Sequence, residues 1–144
     1  MELHELNIKE RAKAVTKAYC DEDTYNHACR VAKYVRENPI IPISIKYLCE
    51  AVAYLHDLEE DTDYRCEKDF DSLISEAVKL LTKPKDMNYI EYIKNIKAYA
   101  EKDAFIAQMA YWVKMMDIKD HLAQTETLTE KLKEKYIKAL PYLL

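Results

Sequence analysis

Apolar residues recur at three- and four-residue spacing along nearly the whole chain, in blocks separated by short polar stretches or by proline. That period is the period of an α-helix with one buried face. It predicts helices at about 3–20, 24–37, 43–58, 69–82, 88–101, 103–123 and 127–140, and no stretch requires a strand. Glycine is absent, and the four prolines at 39, 42, 84 and 141 fall between or just after the periodic blocks. That placement predicts that no helix interior is interrupted. Asp23 or Thr24 is placed to cap the second helix, Ser44 follows Pro42 at the third, and Thr127 with Glu130 forms a capping box for the last. In the last helix an apolar stripe at Leu128, Leu132, Tyr136 and Leu140 runs beside a solvated charged face. The pattern predicts an all-α bundle of about six to seven helices.

Composition narrows the class. A chain of 144 residues fits one domain, 1–144, with a core large enough to stand without staples. Its 49% apolar and 33% charged residues are ordinary for a globular protein, and no apolar run reaches the roughly 18 residues of a membrane span. The opening MELHELNIKERAKAV alternates charge with apolar residues and lacks the continuous apolar region of a signal peptide, so the expected compartment is the cytoplasm. The net charge of −4 argues against a broad grip on nucleic acid, which needs a basic stripe, and leaves room for a small anionic ligand. Cys20, Cys29, Cys49 and Cys66 make no C-x-x-C pair and sit mainly in helical contexts, which favours free thiols over disulfides or a zinc knuckle. The twelve tyrosines are dispersed and read as core-edge residues, a few of them able to line a pocket.

Three predicted helices each carry a metal-type ligand at the end of an inward row. In the third, Ile45, Cys49 and Val52 lead to His56, with Asp57 beside it; in the second, His27 leads Val31 and Tyr34; in the sixth, Ile106, Ala110 and Val113 lead to Asp117. One histidine on an apolar face is usually a hydrogen-bonded core residue. Two imidazoles together with two carboxylates are different, because isolated buried carboxylates are costly and are normally paired or metal-bound. This donor set suits one divalent cation such as manganese, iron, cobalt or zinc better than the all-oxygen shell of calcium or magnesium. Four protein ligands would leave positions for water and substrate, as catalysis requires.

The order His27, His56-Asp57, Asp117 resembles the H…HD…D pattern of the HD phosphohydrolase superfamily. More narrowly, HDLEEDTD at 56–63 resembles the HDxxEDTD motif of the hydrolase domain in RelA/SpoT-type enzymes, which remove pyrophosphate from the 3′ position of the alarmone ppGpp. The likeness extends through HACRVA at 27–32, LLTKPKDMNYIEYI at 80–93 and VKMMDIKDH at 113–121, and spans roughly 24–140. It implies an HD-domain helical bundle in which His27, His56, Asp57 and Asp117 bind the metal, with manganese the first candidate. It implies also that Glu60 and Asp61 are the acidic catalytic pair, positioning a water and accepting its proton. Glu59 has no such role and is expected to be solvated. The family's basic, glycine-containing stretch before the first histidine is here the acidic AYCDEDTYNH. The asparagine expected four residues after the last ligand is His121, which shares a helix face with Asp117 and could contact a sugar or reach the metal. Lys114, one turn before Asp117, is a candidate phosphate contact, although a solvated lysine is the commoner reading at such a position. The expected activity is that of a stand-alone metal-dependent hydrolase of a phosphorylated nucleotide, with the alarmone as the leading substrate. Another mononucleotide or cyclic nucleotide is the alternative, and a non-catalytic helical module binding a nucleotide or a protein is the third reading.

Overall fold

In the computed structural model, residues 7–102 and 104–144 are described, and the helices follow the predicted order: α1 (Ile8–Tyr19), α2 (Glu22–Glu37), α3 (Ile43–Leu55), α4 (Leu58–Asp61), α5 (Ser72–Leu80), α6 (Tyr89–Glu101), α7 (Phe105–Ala123) and α8 (Glu130–Leu143). Seven of these are true helices and α4 is a single turn. A 3-10 turn at Cys66–Lys68 precedes α5. The bundle is all-α, with no strand among the described residues, and no described helix is long and apolar enough to cross a membrane. Residues 3–6 and 103 of the predicted helices lie outside the described residues.

Short polar side chains open most of the helices by accepting a bond from an otherwise orphaned N–H. Asn7 caps α1, Asp71 caps α5 and Asn88 caps α6. Three caps differ from the sequence expectation. Helix α2 begins earlier than predicted, and Asp21 rather than Asp23 or Thr24 is its cap, accepting from Thr24 N at 2.8 Å. Pro42 stands at the start of α3 with no side-chain cap, so Ser44 lies inside the helix. Thr129, not Thr127, caps α8, accepting from Leu132 N at 3.1 Å, while the Thr127 hydroxyl donates back to Gln124 O.

The core lies around α3 and α7. Helix α3 packs on α1 and α2, α7 packs on α2, α3, α5 and α6, and α8 covers α6 and α7. Being enclosed by several partners, α7 is buried over much of its circumference, from Ala107 and Ala110 to Ile118 and Asp120. It therefore has no single apolar stripe. In α8 the buried row is Tyr136, Ala139 and Leu143, whereas Leu132 is exposed and Leu128 and Leu140 are half-buried. The stripe read from the sequence is thus rotated about the axis, because α8 faces α6 and α7 together. All four cysteines are free thiols; Cys49 and Cys66 are buried, Cys20 and Cys29 only partly.

One local feature positions the chemistry. Helix α3 stops at Leu55, earlier than the predicted 58, and His56 and Asp57 form the turn into α4. Leu55 and Leu58 flank that turn and are fully buried. Each such side chain contributes roughly 1.5–3 kcal/mol of burial, which pins the His56-Asp57 pair between two anchored residues.

Candidate metal centre

Four predicted ligands converge. One ligand atom each from His27, His56, Asp57 and Asp117 lies within 4.8 Å of the others. His27 comes from α2, His56 and Asp57 from the turn after α3, and Asp117 from α7. The helical rows deliver them as the sequence implied, although Tyr34 and Ile106 in those rows are only half-buried.

The imidazoles are held in the tautomer that a metal needs. His27 Nδ1 faces Asp120 Oδ2 at 2.7 Å, and His56 Nδ1 faces the Ala53 carbonyl at 2.6 Å. Each acceptor takes the Nδ1 proton, so both Nε2 atoms point into the cluster: His27 Nε2 is 2.8 Å from Asp117 Oδ1, and His56 Nε2 is 3.2 Å from both Asp117 Oδ1 and Asp57 Oδ2. Outer partners of this kind orient ligating histidines and raise their basicity. The donor set therefore fits a borderline divalent cation, which would take the place of the Nε2 protons.

Asp120 is fully buried and also accepts from Arg30 Nε at 2.8 Å. Neither residue was anticipated from the sequence. The signal was present in spacing, since Arg30 follows His27 by three residues and Asp120 follows Asp117 by three, and such pairs share a helix face.

Without a cation the cluster is a proton-linked network. Burial works against the charged form of His56, but Asp57 and Asp117 outweigh it and hold the imidazole well above its ordinary 6.5. His27 behaves likewise, with burial opposed by bonds to Asp117 and Asp120. Burial would raise Asp117, yet Lys114 and the bonds to His121, His27 and His56 hold it well below its ordinary 3.8. The raised histidines stabilise the fold fully below 6.5 and lose that contribution as pH rises through their folded values. The depressed Asp117 stabilises it above 3.8 and fails only as pH falls through its folded value. The metal-stripped protein should therefore melt at progressively lower temperature as pH rises beyond the ordinary histidine range. Saturating manganese should flatten that slope, because it binds the deprotonated imidazoles. Calorimetric melts across the neutral and mildly alkaline range measure this, and a melting temperature that climbs there without metal contradicts it.

The remaining predicted residues divide. Lys114 is not solvated: it is 6% exposed, and its Nζ lies 2.9 Å from Asp117 Oδ2. The buried carboxylate thus has a cation partner that the sequence reading had not supplied. His121 lies beside the four-ligand cluster, with Nε2 3.2 Å from Asp117 Oδ1 and its ring stacked on Tyr136 at 4.7 Å and 6°. Glu60 and Asp61 are both exposed, and they face different cavities. Glu60 lines a cavity of about 120 Å³ together with Asp57 and Asp117, whereas Asp61 lines one of about 450 Å³ with His27 and Asp57. Burial, Asp57 and Glu60 together raise the proton affinity of Asp61.

Glu59 departs from its expected solvation. It is buried, and its Oε2 accepts from Cys66 N at 2.8 Å, tying α4 to the 3-10 turn. The carboxylate satisfies a Cys66 N–H that lies buried. Glu59→Ala should cost about 1–3 kcal/mol of stability, readable in denaturant unfolding, with metal stoichiometry intact. A loss of metal without loss of stability would place Glu59 in the centre itself.

Compared with known proteins, the chain matches no family model and no curated sequence.

Proposed function

We propose that the protein is a divalent-metal-dependent phosphohydrolase acting on a phosphorylated nucleotide in the cytoplasm. The observation that carries this reading is the convergence of two tautomerically fixed Nε2 atoms and two carboxylates at a point where two cavities meet. Asp57 and His121 line both cavities. A purely structural ion has no need of such open approaches, whereas a catalytic one keeps positions for water and substrate. A cation held by His27, His56, Asp57 and Asp117, with manganese first among manganese, iron, cobalt and zinc, would supply a Lewis acid and an activated water.

The chain's own residues account for the rest. Glu60, in the small cavity, is placed to orient the attacking water and accept its proton. Asp61, in the larger one and with raised proton affinity, is suited to return a proton to the leaving group. Lys114 faces the phosphoryl group while balancing Asp117, and His121 stands where both cavities open. On the resemblance of HDLEEDTD and VKMMDIKDH alone, the first substrate reading is guanosine 3′,5′-bis(diphosphate), losing its 3′ pyrophosphate; the acidic lining of the larger cavity counts against a second anionic group and so against that substrate. A mononucleotide is the second reading, favoured by a specific observation: Asp23 and Asp61 line the larger cavity.

The test is a matrix of metals against substrates. Stripped protein is reconstituted with manganese, iron, cobalt, zinc or magnesium and assayed on the alarmone, mononucleotides and cyclic nucleotides. Metal-dependent release of phosphate or pyrophosphate from at least one of them is expected. Stoichiometric metal with no turnover of any of them would leave a binding module and defeat the hydrolase reading.

A further inference from the structure

Beyond the metal-centre ligands, the two cavities beside it carry opposite charge: Lys83, Lys114 and Lys135 against Glu60 in the small one, Asp23, Asp61 and Asp120 against Arg30 in the larger. The small one, about 120 Å³, is lined by Lys83, Lys114 and Lys135 among Tyr89, Tyr92 and Tyr136. Three ammonium groups gather there, faced by Glu60 and by Asp57 and Asp117 of the metal centre, whose charge a bound cation would take up. Lys114 Nζ pairs with Asp117 and lies 5.1 Å from the Tyr92 ring centroid. Lys135 Nζ lies 4.3 Å from the Tyr89 ring centroid. Lys83 Nζ donates to the neutral carbonyls of Pro84 and Met87. Burial and then Lys114 depress the proton affinity of Lys135, with Asp117 and Glu60 acting against them, so an anion in the cavity would be drawn to this ammonium. A second observation is independent of charge: the Tyr89 hydroxyl is buried with no hydrogen-bond partner among the described residues. A buried polar group of this kind is normally satisfied, and an anionic oxygen in the cavity would satisfy it.

The larger cavity, about 450 Å³, has the opposite character. It is lined by Asp23, Thr24, Asn26, Asp61, Gln124 and Thr127 beyond the metal-centre residues. Its one cation, Arg30, is already engaged by Asp120. The volume falls in the range of small-molecule sites, about 300–1,000 Å³, whereas the lysine cavity is a subsite by that measure. A second phosphate placed here would meet carboxylates and no free cation.

We propose that the site selects substrates with a single anionic end: a phosphate monoester whose phosphoryl group enters the lysine-tyrosine cavity and whose neutral, hydrogen-bonding remainder, a nucleoside or similar polyol, fills the acidic groove. The orientation and the substrate class rest on the phosphohydrolase reading, while the anion subsite rests on the lysines and Tyr89 alone. Thr24, Asn26, Gln124 and Thr127 offer the neutral donors and acceptors that hydroxyl groups need. Asp23 and Asp61 reject a second anion by like-charge repulsion.

Calorimetric titration in manganese-containing buffer tests this without requiring turnover. The probes are inorganic phosphate, guanosine 3′-monophosphate and guanosine 3′,5′-bisphosphate, a nucleotide pair that differs only in the second phosphate. Phosphate should bind, and Lys135→Met, a change at an exposed residue, should weaken it by roughly tenfold or more, as expected on losing a charge-assisted bond. The monophosphate should bind about tenfold more tightly than the bisphosphate, and Asp23→Asn should narrow that gap. Absence of phosphate binding, or a Lys135→Met protein that binds it unchanged, overturns the anion subsite. Bisphosphate binding as tight as monophosphate overturns the single-anion selection. If these titrations come out as expected and no nucleotide is hydrolysed with any metal, the hydrolase reading fails and the anion site stands.

Discussion

Asp117→Ala is expected to abolish stoichiometric metal binding, and it is the substitution with the widest consequences in this protein. Asp117 Oδ1 lies 2.8 Å from His27 Nε2 and 3.2 Å from the Nε2 atoms of His56 and His121, while Oδ2 takes Lys114 at 2.9 Å. Removing the carboxylate takes away one of four ligands and also strands a buried ammonium. Breaking a buried ion pair by deleting one partner costs about 3–5 kcal/mol, a large fraction of the stability of a domain this size. The alanine protein should thus be helical by circular dichroism and markedly less stable. Asp117→Asn separates the two effects, because the amide oxygen can still accept from Lys114 while the negative charge is gone. It should keep more of the stability and lose the metal. Full metal content in purified Asp117→Asn protein would exclude the centre.

How far the sequence led depends on whether an interaction lies within one helix or between helices. His27, His56 and Asp117 were legible because each stands at one end of a row of apolar residues at helical spacing, with Asp57 adjoining His56, and a row that must be buried carries its polar terminus inward. The burial of Lys114, against the commoner solvated reading, was not legible for the complementary reason. Helix α7 is enclosed by five other helices, so Lys114, Asp117 and Asp120 form a buried polar line at three-residue spacing, while Lys119 is exposed. On a helix with one wet face the same spacing is a solvated stripe. Glu59 was misread because its partner, the Cys66 N–H, belongs to an irregular turn that periodicity does not describe. The caps at Asp21 and Thr129 lie two or three residues from the expected ones, the usual margin for helix ends, where several short polar side chains compete. The opposite polarity of the two cavities depends on bringing Lys83, Lys114 and Lys135 together from three separate segments, and no local pattern announces that.

Glu60→Gln should lower kcat by about a hundredfold or more while leaving metal occupancy near that of the unaltered protein. Glu60 is exposed and lies outside the four-ligand cluster, so its carboxylate is free to act on water rather than to hold the ion. Its Oε1 accepts from Lys83 N at 3.1 Å, which fixes the side chain against the loop leading to α6. Glutamine preserves that acceptor and the side-chain volume, so the loop and the lysine cavity should be unchanged and only the ability to accept a proton is lost. The fall should therefore be in kcat, with KM altered little, which is the mark of a group acting in the transition state rather than in binding. The partner variant Asp61→Asn acts from the larger cavity, and its effect should be greatest on substrates with poor leaving groups if Asp61 returns the proton there. Steady-state kinetics combined with metal analysis of each purified variant decides the matter. A Glu60→Gln enzyme with unchanged kcat and depleted metal would make Glu60 a ligand, and the base would have to be sought elsewhere in the centre.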